Sequence, residues 1–170
     1  MTRRPALAFA FLAATLGLAA QAQEKDSQGG TATDSGFFKN AGASGLAEVK
    51  AGQLAMEQAS SAKVKKFAQQ MVQDHTRVNE ELETLKSGDK GYALVRSAKP
   101  DDEKIIDALS RMKGAEFDKA YAKMMVANHE EAVAIFETEI EKGSSPALKA
   151  FAKKTLPTLK HHLEMARKLP

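Results

Sequence analysis

The chain has 170 residues, with 25 Lys and Arg against 22 Asp and Glu, a formal net charge of +3 and a pI near 9.0. It has no cysteine and no tryptophan. Disulfides, thiolate metal ligands, a cysteine nucleophile and a lipidated N-terminal cysteine are therefore excluded. No Lys/Arg block is dense enough, and too few aromatics are present, to suggest nucleic-acid binding.

Residues 1–22 read as a cleavable secretory signal. Arg3 and Arg4 form a basic start, residues 6–20 are small or apolar and uncharged, and Ala20-Gln21-Ala22 is a small-x-small exit. The apolar run is shorter than the roughly 20 residues needed to span a bilayer, which argues against an uncleaved anchor. Sec and twin-arginine export both remain open. Removing the Arg pair lowers the net charge to about +1. The expected location is the periplasm or the medium, with no stable membrane insertion after cleavage. A flexible, polar leader is expected over 23–34 and one domain over 35–170, large enough for a core held by packing alone.

From there the apolar period is helical. Helices are expected over about 35–59, 62–86, 102–113, 115–142 and 146–168, the short one capped by Asp101. The second helix carries an unbroken seam of Val64, Ala68, Met71, His75, Val78, Leu82 and Leu85. Ser60 or Ser61 should cap it. Gly114 should interrupt the third stretch. Gly143 suits a C′ position, Ser145-Pro146 suits an N-cap followed by an N1 proline, and Pro157 should kink the last helix. The fold class is all-α, a four-helix bundle with a short extra helix before the third main helix. Up-down-up-down and ferritin-like topologies both fit, because the long central connection can reach along a helix. Val64-Lys65-Lys66-Phe67-Ala68 echoes Leu148-Lys149-Ala150-Phe151-Ala152, a faint sign of two related hairpins.

The informative residues are polar ones on apolar stripes. Glu48 lies among small residues of the first helix, and His75, His129 and His162 hold seam positions on the others. Counting from the two tight turns places all four at similar heights. Asp118 belongs to another layer. One reading is a metal site of Glu48, His75, His129 and His162, with copper, zinc or iron as the ion. Met56, Met71, Met124 and Met125 nearby would favour copper. The alternative is a structural or partner-binding scaffold, in which a buried Glu48–His75 pair only fixes helix packing.

A di-iron carboxylate enzyme needs Glu-x-x-His on two helices. Val72, Val126, Thr158 and Leu159 stand three residues before the histidines, so the motif is missing. No phosphate loop, nucleophile elbow or catalytic acid pair is present, and a non-enzymatic role is expected. The sequence names no protein partner.

The string from Phe67 to His75, together with Ala47-Glu48, Phe117-Asp118-Lys119-Ala120-Tyr121, His129 and Leu156-Pro157…His161-His162-Leu163, resembles the domain-of-unknown-function 4142 family of exported bacterial proteins. The resemblance spans about 35–169. It implies a ferritin-like bundle in the bacterial envelope and supplies no activity. The recurrent positions it implies are Glu48, Asp74, His75, Phe117, Asp118, Tyr121, His129, Pro157 and His162.

Overall fold

The computed structural model describes residues 17–86, 92, 93 and 95–170. The basic start and most of the apolar run of the expected signal lie outside them. The described chain is all-α. Four long helices, α1 (Gly17–Gln58), α2 (Ala62–Lys86), α4 (Gly114–Lys142) and α5 (Pro146–Ala166), are joined by a short α3 (Pro100–Leu109). No described helix is long and apolar enough to cross a membrane.

Helix α1 begins well before the expected start near residue 35 and takes in the 23–34 segment. No proline interrupts it, and Asp34, expected in a flexible leader, is a buried anchor. Its carboxylate accepts hydrogen bonds from Ser144 N (2.8 Å), Ser144 Oγ (2.5 Å) and Ser145 N (3.0 Å). At the other end Asp118 does the same for the α1–α2 turn, accepting from Ser60 N (3.1 Å), Ser60 Oγ (2.5 Å) and Ser61 N (2.9 Å). Each tie satisfies backbone donors that a helix start leaves unpaired.

Those two ties fix the helix directions. Asp34, partway along α1, meets the end of α4, and the end of α1 meets the start of α4, so these helices run antiparallel. Helix α2 packs on α1 and α5, and α4 packs on α1 and α5, so the four long helices form a ring. The segment between α2 and α4 must therefore travel from one end of the ring to the other. It carries α3 along the flank of α1, where Lys50 pairs with Glu103 and Gln58 Nε2 donates to the carbonyl of Ser110.

Helix ends differ in detail from the sequence expectation. Helix α3 starts at Pro100, with Lys99 rather than Asp101 in the N-cap position, because proline fits the first helical turn. Asp101 instead pairs with Lys104 on the surface. Ser61 is the α2 cap, accepting from Val64 N, and Ser145 caps α5, accepting from Leu148 N. Gly114 has φ +65°, a left-handed conformation that suits glycine at the α3–α4 junction. Gly143 does not adopt the left-handed C′ conformation; it is extended at φ −61°, ψ 149°. Its lack of a side chain has another use, since a Cβ there would lie 2.2 Å from Glu139 Oε1.

Two apolar clusters fill the interior. One gathers Ala47, Ala51, Ala55, Val64, Phe67, Met71, Ile106, Leu109, Phe117, Tyr121 and Met125. The other gathers Phe37, Phe38, Leu82, Phe136, Leu148, Phe151 and Leu159. In α2, α4 and α5 a histidine lies between the stretches that feed the two clusters, His75, His129 and His162, and in α1 Glu48 stands beside Ala47, where the first cluster begins.

Candidate metal centre

Each of these four residues occupies a helical position whose neighbours three and four residues away are buried or half-buried, so its side chain points inward with them. The structure brings all four together. Their side chains are almost fully buried. The three imidazole centroids form a nearly equilateral triangle, 5.4 Å for His75–His129, 5.4 Å for His75–His162 and 5.5 Å for His129–His162. One ring nitrogen from each lies within 4.8 Å of the others. Ligand bonds of about 2 Å require nitrogens no more than about 4 Å apart. A modest inward turn of the rings would bring them to a shared ion.

Each ring has one nitrogen engaged and one free. His75 Nδ1 is 2.8 Å from Glu48 Oε2. His129 Nδ1 is 2.8 Å from the Met125 carbonyl, one helical turn back, and 3.4 Å from Glu48 Oε1. His162 Nε2 is 3.0 Å from Asp74 Oδ2. With acceptors at those atoms, the protons sit on His75 Nδ1, His129 Nδ1 and His162 Nε2. The opposite nitrogens, His75 Nε2, His129 Nε2 and His162 Nδ1, are buried and have no hydrogen-bond partner. A buried unpaired ring nitrogen costs free energy, and three at one place need a reason.

Electrostatics keep the free nitrogens of His129 and His162 available. Burial lowers the His129 pKa, against the pull of Glu48. Burial and the neighbouring His75 and His129 imidazoles push His162 down to about 4, against Asp74. Burial opposes ionisation of Glu48, but the adjacent His75 and His129 rings outweigh it and hold the carboxyl well below its ordinary range. His129 and His162 therefore present imidazole lone pairs beside one buried carboxylate.

The surroundings match the sequence expectation only in part. Met71, Met124 and Met125 are buried, whereas Met56 is 37% exposed and takes no part in the interior. His161 is exposed, a turn of about 100° from His162. Tyr121 is fully buried with its hydroxyl unpartnered, and Asp118 is committed to the α1–α2 turn. The residue that periodicity missed is Asp74. It sits beside the α2 seam and is itself held by Arg77 Nη2 at 2.7 Å and Gln70 Nε2 at 3.4 Å. Its position directly before His75, one step off the seam, and its place among the recurrent positions implied by the family resemblance were the available signals.

The model of the domain of unknown function DUF4142 matches residues 19–169. The chain belongs to that family. No curated protein matches it. Among solved structures, the chain is similar to CopM in the Cu(I)-bound form, with a TM-score of 0.67 at 18% identity over 79% of this chain and 93% of that one. CopM in the Ag-bound form aligns over the same shares, also at 18% identity, with a TM-score of 0.65. At that identity the likeness speaks for a shared all-α fold.

Proposed function

We propose that this DUF4142 member is an exported, non-enzymatic helical protein that binds a soft transition-metal ion in the bacterial envelope through His75, His129 and His162. The observation that carries this reading is three neighbouring buried imidazoles, each with one ring nitrogen that has no hydrogen-bond partner and each bringing a ring nitrogen within 4.8 Å of the others. Glu48 and Asp74 act as the carboxylates that orient the rings, the outer-sphere role that metal-bound histidine regularly requires. The helix directions support a ferritin-like four-helix bundle with one long crossover. The signal read in residues 1–22 supports export.

Of copper, zinc and iron, copper as Cu(I) suits the layer best. Three neutral imidazoles and the Glu48 carboxylate carry one negative charge, and the Asp74 charge is offset by Arg77. A singly charged ion makes the buried layer neutral, whereas a divalent ion leaves an uncompensated charge in a low-dielectric interior. The similar CopM structures, in Cu(I)-bound and Ag-bound forms, point the same way.

The test is a metal titration of the purified chain with Cu(I), Ag+, Zn2+ and Fe2+. Cu(I) and Ag+ should bind most tightly. His75→Ala, His129→Ala and His162→Ala should each weaken binding by more than about 100-fold, beyond the 10–100-fold typical of losing an outer-sphere partner. Binding no better than millimolar for every ion would sink the reading. It would then favour the scaffold alternative, for which the 2.8 Å Glu48–His75 pair is the supporting contact.

A further inference from the structure

The three histidines differ in what stands behind them. His75 is backed by Glu48, whose side chain is 1% exposed, and His129 by the main-chain carbonyl of Met125 inside α4. His162 alone is backed by a group that reaches solvent: the Asp74 side chain is 18% exposed, and its other oxygen is held by Arg77, which is 72% exposed. The path from the three imidazoles to water is thus shortest through His162 and Asp74, at the α2–α5 seam.

The helix that carries His162 is also the one built to give. Pro157 lies inside α5, five residues before His162. It has no N–H, so the carbonyl of Lys153 loses its helical partner. Helices α2 and α4, which carry the other two histidines, contain no proline.

Resting on the metal reading above, we propose that the ion enters and leaves through the α2–α5 seam: His162 is the ligand that releases first, Asp74 is the carboxylate that takes up the soft monovalent cation at the surface, and Pro157 is the hinge. Arg77 occupies Asp74 when no ion is passing and must be displaced by the incoming charge. Asp74 is therefore a positioning residue for His162 and the docking group for the cation.

The experiment loads the full chain with Ag+ from a weak donor, unloads it into excess thiol chelator, and follows both rates together with the equilibrium affinity. Asp74→Asn keeps an oxygen acceptor for His162 Nε2 and removes the charge. It should slow loading about tenfold, the low end of what electrostatic focusing supplies, while affinity falls less. Arg77→Ala should speed loading and unloading together. Pro157→Ala restores one backbone hydrogen bond and should slow both rates about tenfold, the value of one such bond, with affinity nearly unchanged. Saturable Ag+ binding with unaltered rates in all three variants overturns the route and leaves the metal site standing. Absence of saturable binding in the wild type overturns both.

Discussion

No donor reaches either carboxylate oxygen of Glu139, although the residue is fully buried. The group facing it is the Asp34 carboxylate, another acceptor, so the pair is satisfied only when Glu139 carries a proton. Burial first, then the charge of Asp34 and a hydrogen bond to it, push the Glu139 pKa up to about 7, against a weaker pull from Lys149. The unfolded value is near 4.5. Between those limits the folded state holds more protons than the unfolded one, so stability falls as pH rises from about 4.5 to about 7. At 1.36 kcal/mol per unit the loss reaches about 3 kcal/mol. His162, depressed to about 4, contributes the opposite slope from about 4 to 6.5, but it is common to wild type and variant and cancels in their difference. Glu139→Gln places an amide donor against Asp34 at every pH. Urea unfolding at pH 5 and pH 8 should show the variant near wild type at pH 5 and more stable by up to about 3 kcal/mol at pH 8. A variant that keeps the wild-type slope would remove Glu139 as its source. Such residues explain where sequence reading stops. Glu48, His75, His129 and His162 were legible because they interrupt an apolar period. Asp34 and Glu139 were not, because their partners come from 110 residues away and from a close approach at Gly143 that no local pattern encodes.

At the scale of elements, two glycines of α1 have opposite meanings. A Cβ built on Gly36 meets nothing within 4 Å, whereas one on Gly52 would lie 2.8 Å from Val72 Cγ2 and 3.2 Å from the Ala68 carbonyl. Gly52 therefore permits the close α1–α2 approach. Gly36→Ala should stabilise the protein by up to about 1 kcal/mol through helix propensity. Gly52→Val should destabilise it by about 2 kcal/mol through overpacking. Denaturant midpoints for the two variants should move in opposite directions; a neutral Gly52→Val would mean that α1 and α2 can separate without cost. The small-residue stripe of α1 was visible from its spacing, and so were the interiors of α2, α4 and α5. Helix starts were less visible. The Pro100 start of α3 competes with a neighbouring Asp that also looks like a cap, and the early start of α1 leaves no break in composition strong enough to announce it.

At the scale of the whole molecule, the two Asp ties repeat at one spacing. Asp34 and Asp118, Ser60 and Ser144, and Ser61 and Ser145 are each 84 positions apart, as are Phe67 and Phe151 in the echo noted from sequence. The chain therefore behaves as two related hairpins, each closing the turn of the other. The metal layer breaks that relation. At the same spacing Glu48 corresponds to Ala132, His75 to Leu159, and His129 and His162 to Gly45 and Val78. Those four counterparts line one small cavity of about 10 Å³ that also touches Glu48 and His75. It is at the lower limit for holding a single water, and the counterpart residues bring no ligand atom on their side chains. The molecule thus has two equivalent places for a polar layer and equips one. Native mass spectrometry of the Ag+-loaded chain should accordingly show one tightly held ion per chain, lost in His162→Ala. That ion should raise the thermal midpoint of the wild type and not of the variant, because only binding to the folded state stabilises it. A second ion of equal affinity in the wild type would mean that the counterpart layer is not closed, and that ligands outside the three histidines have to be sought.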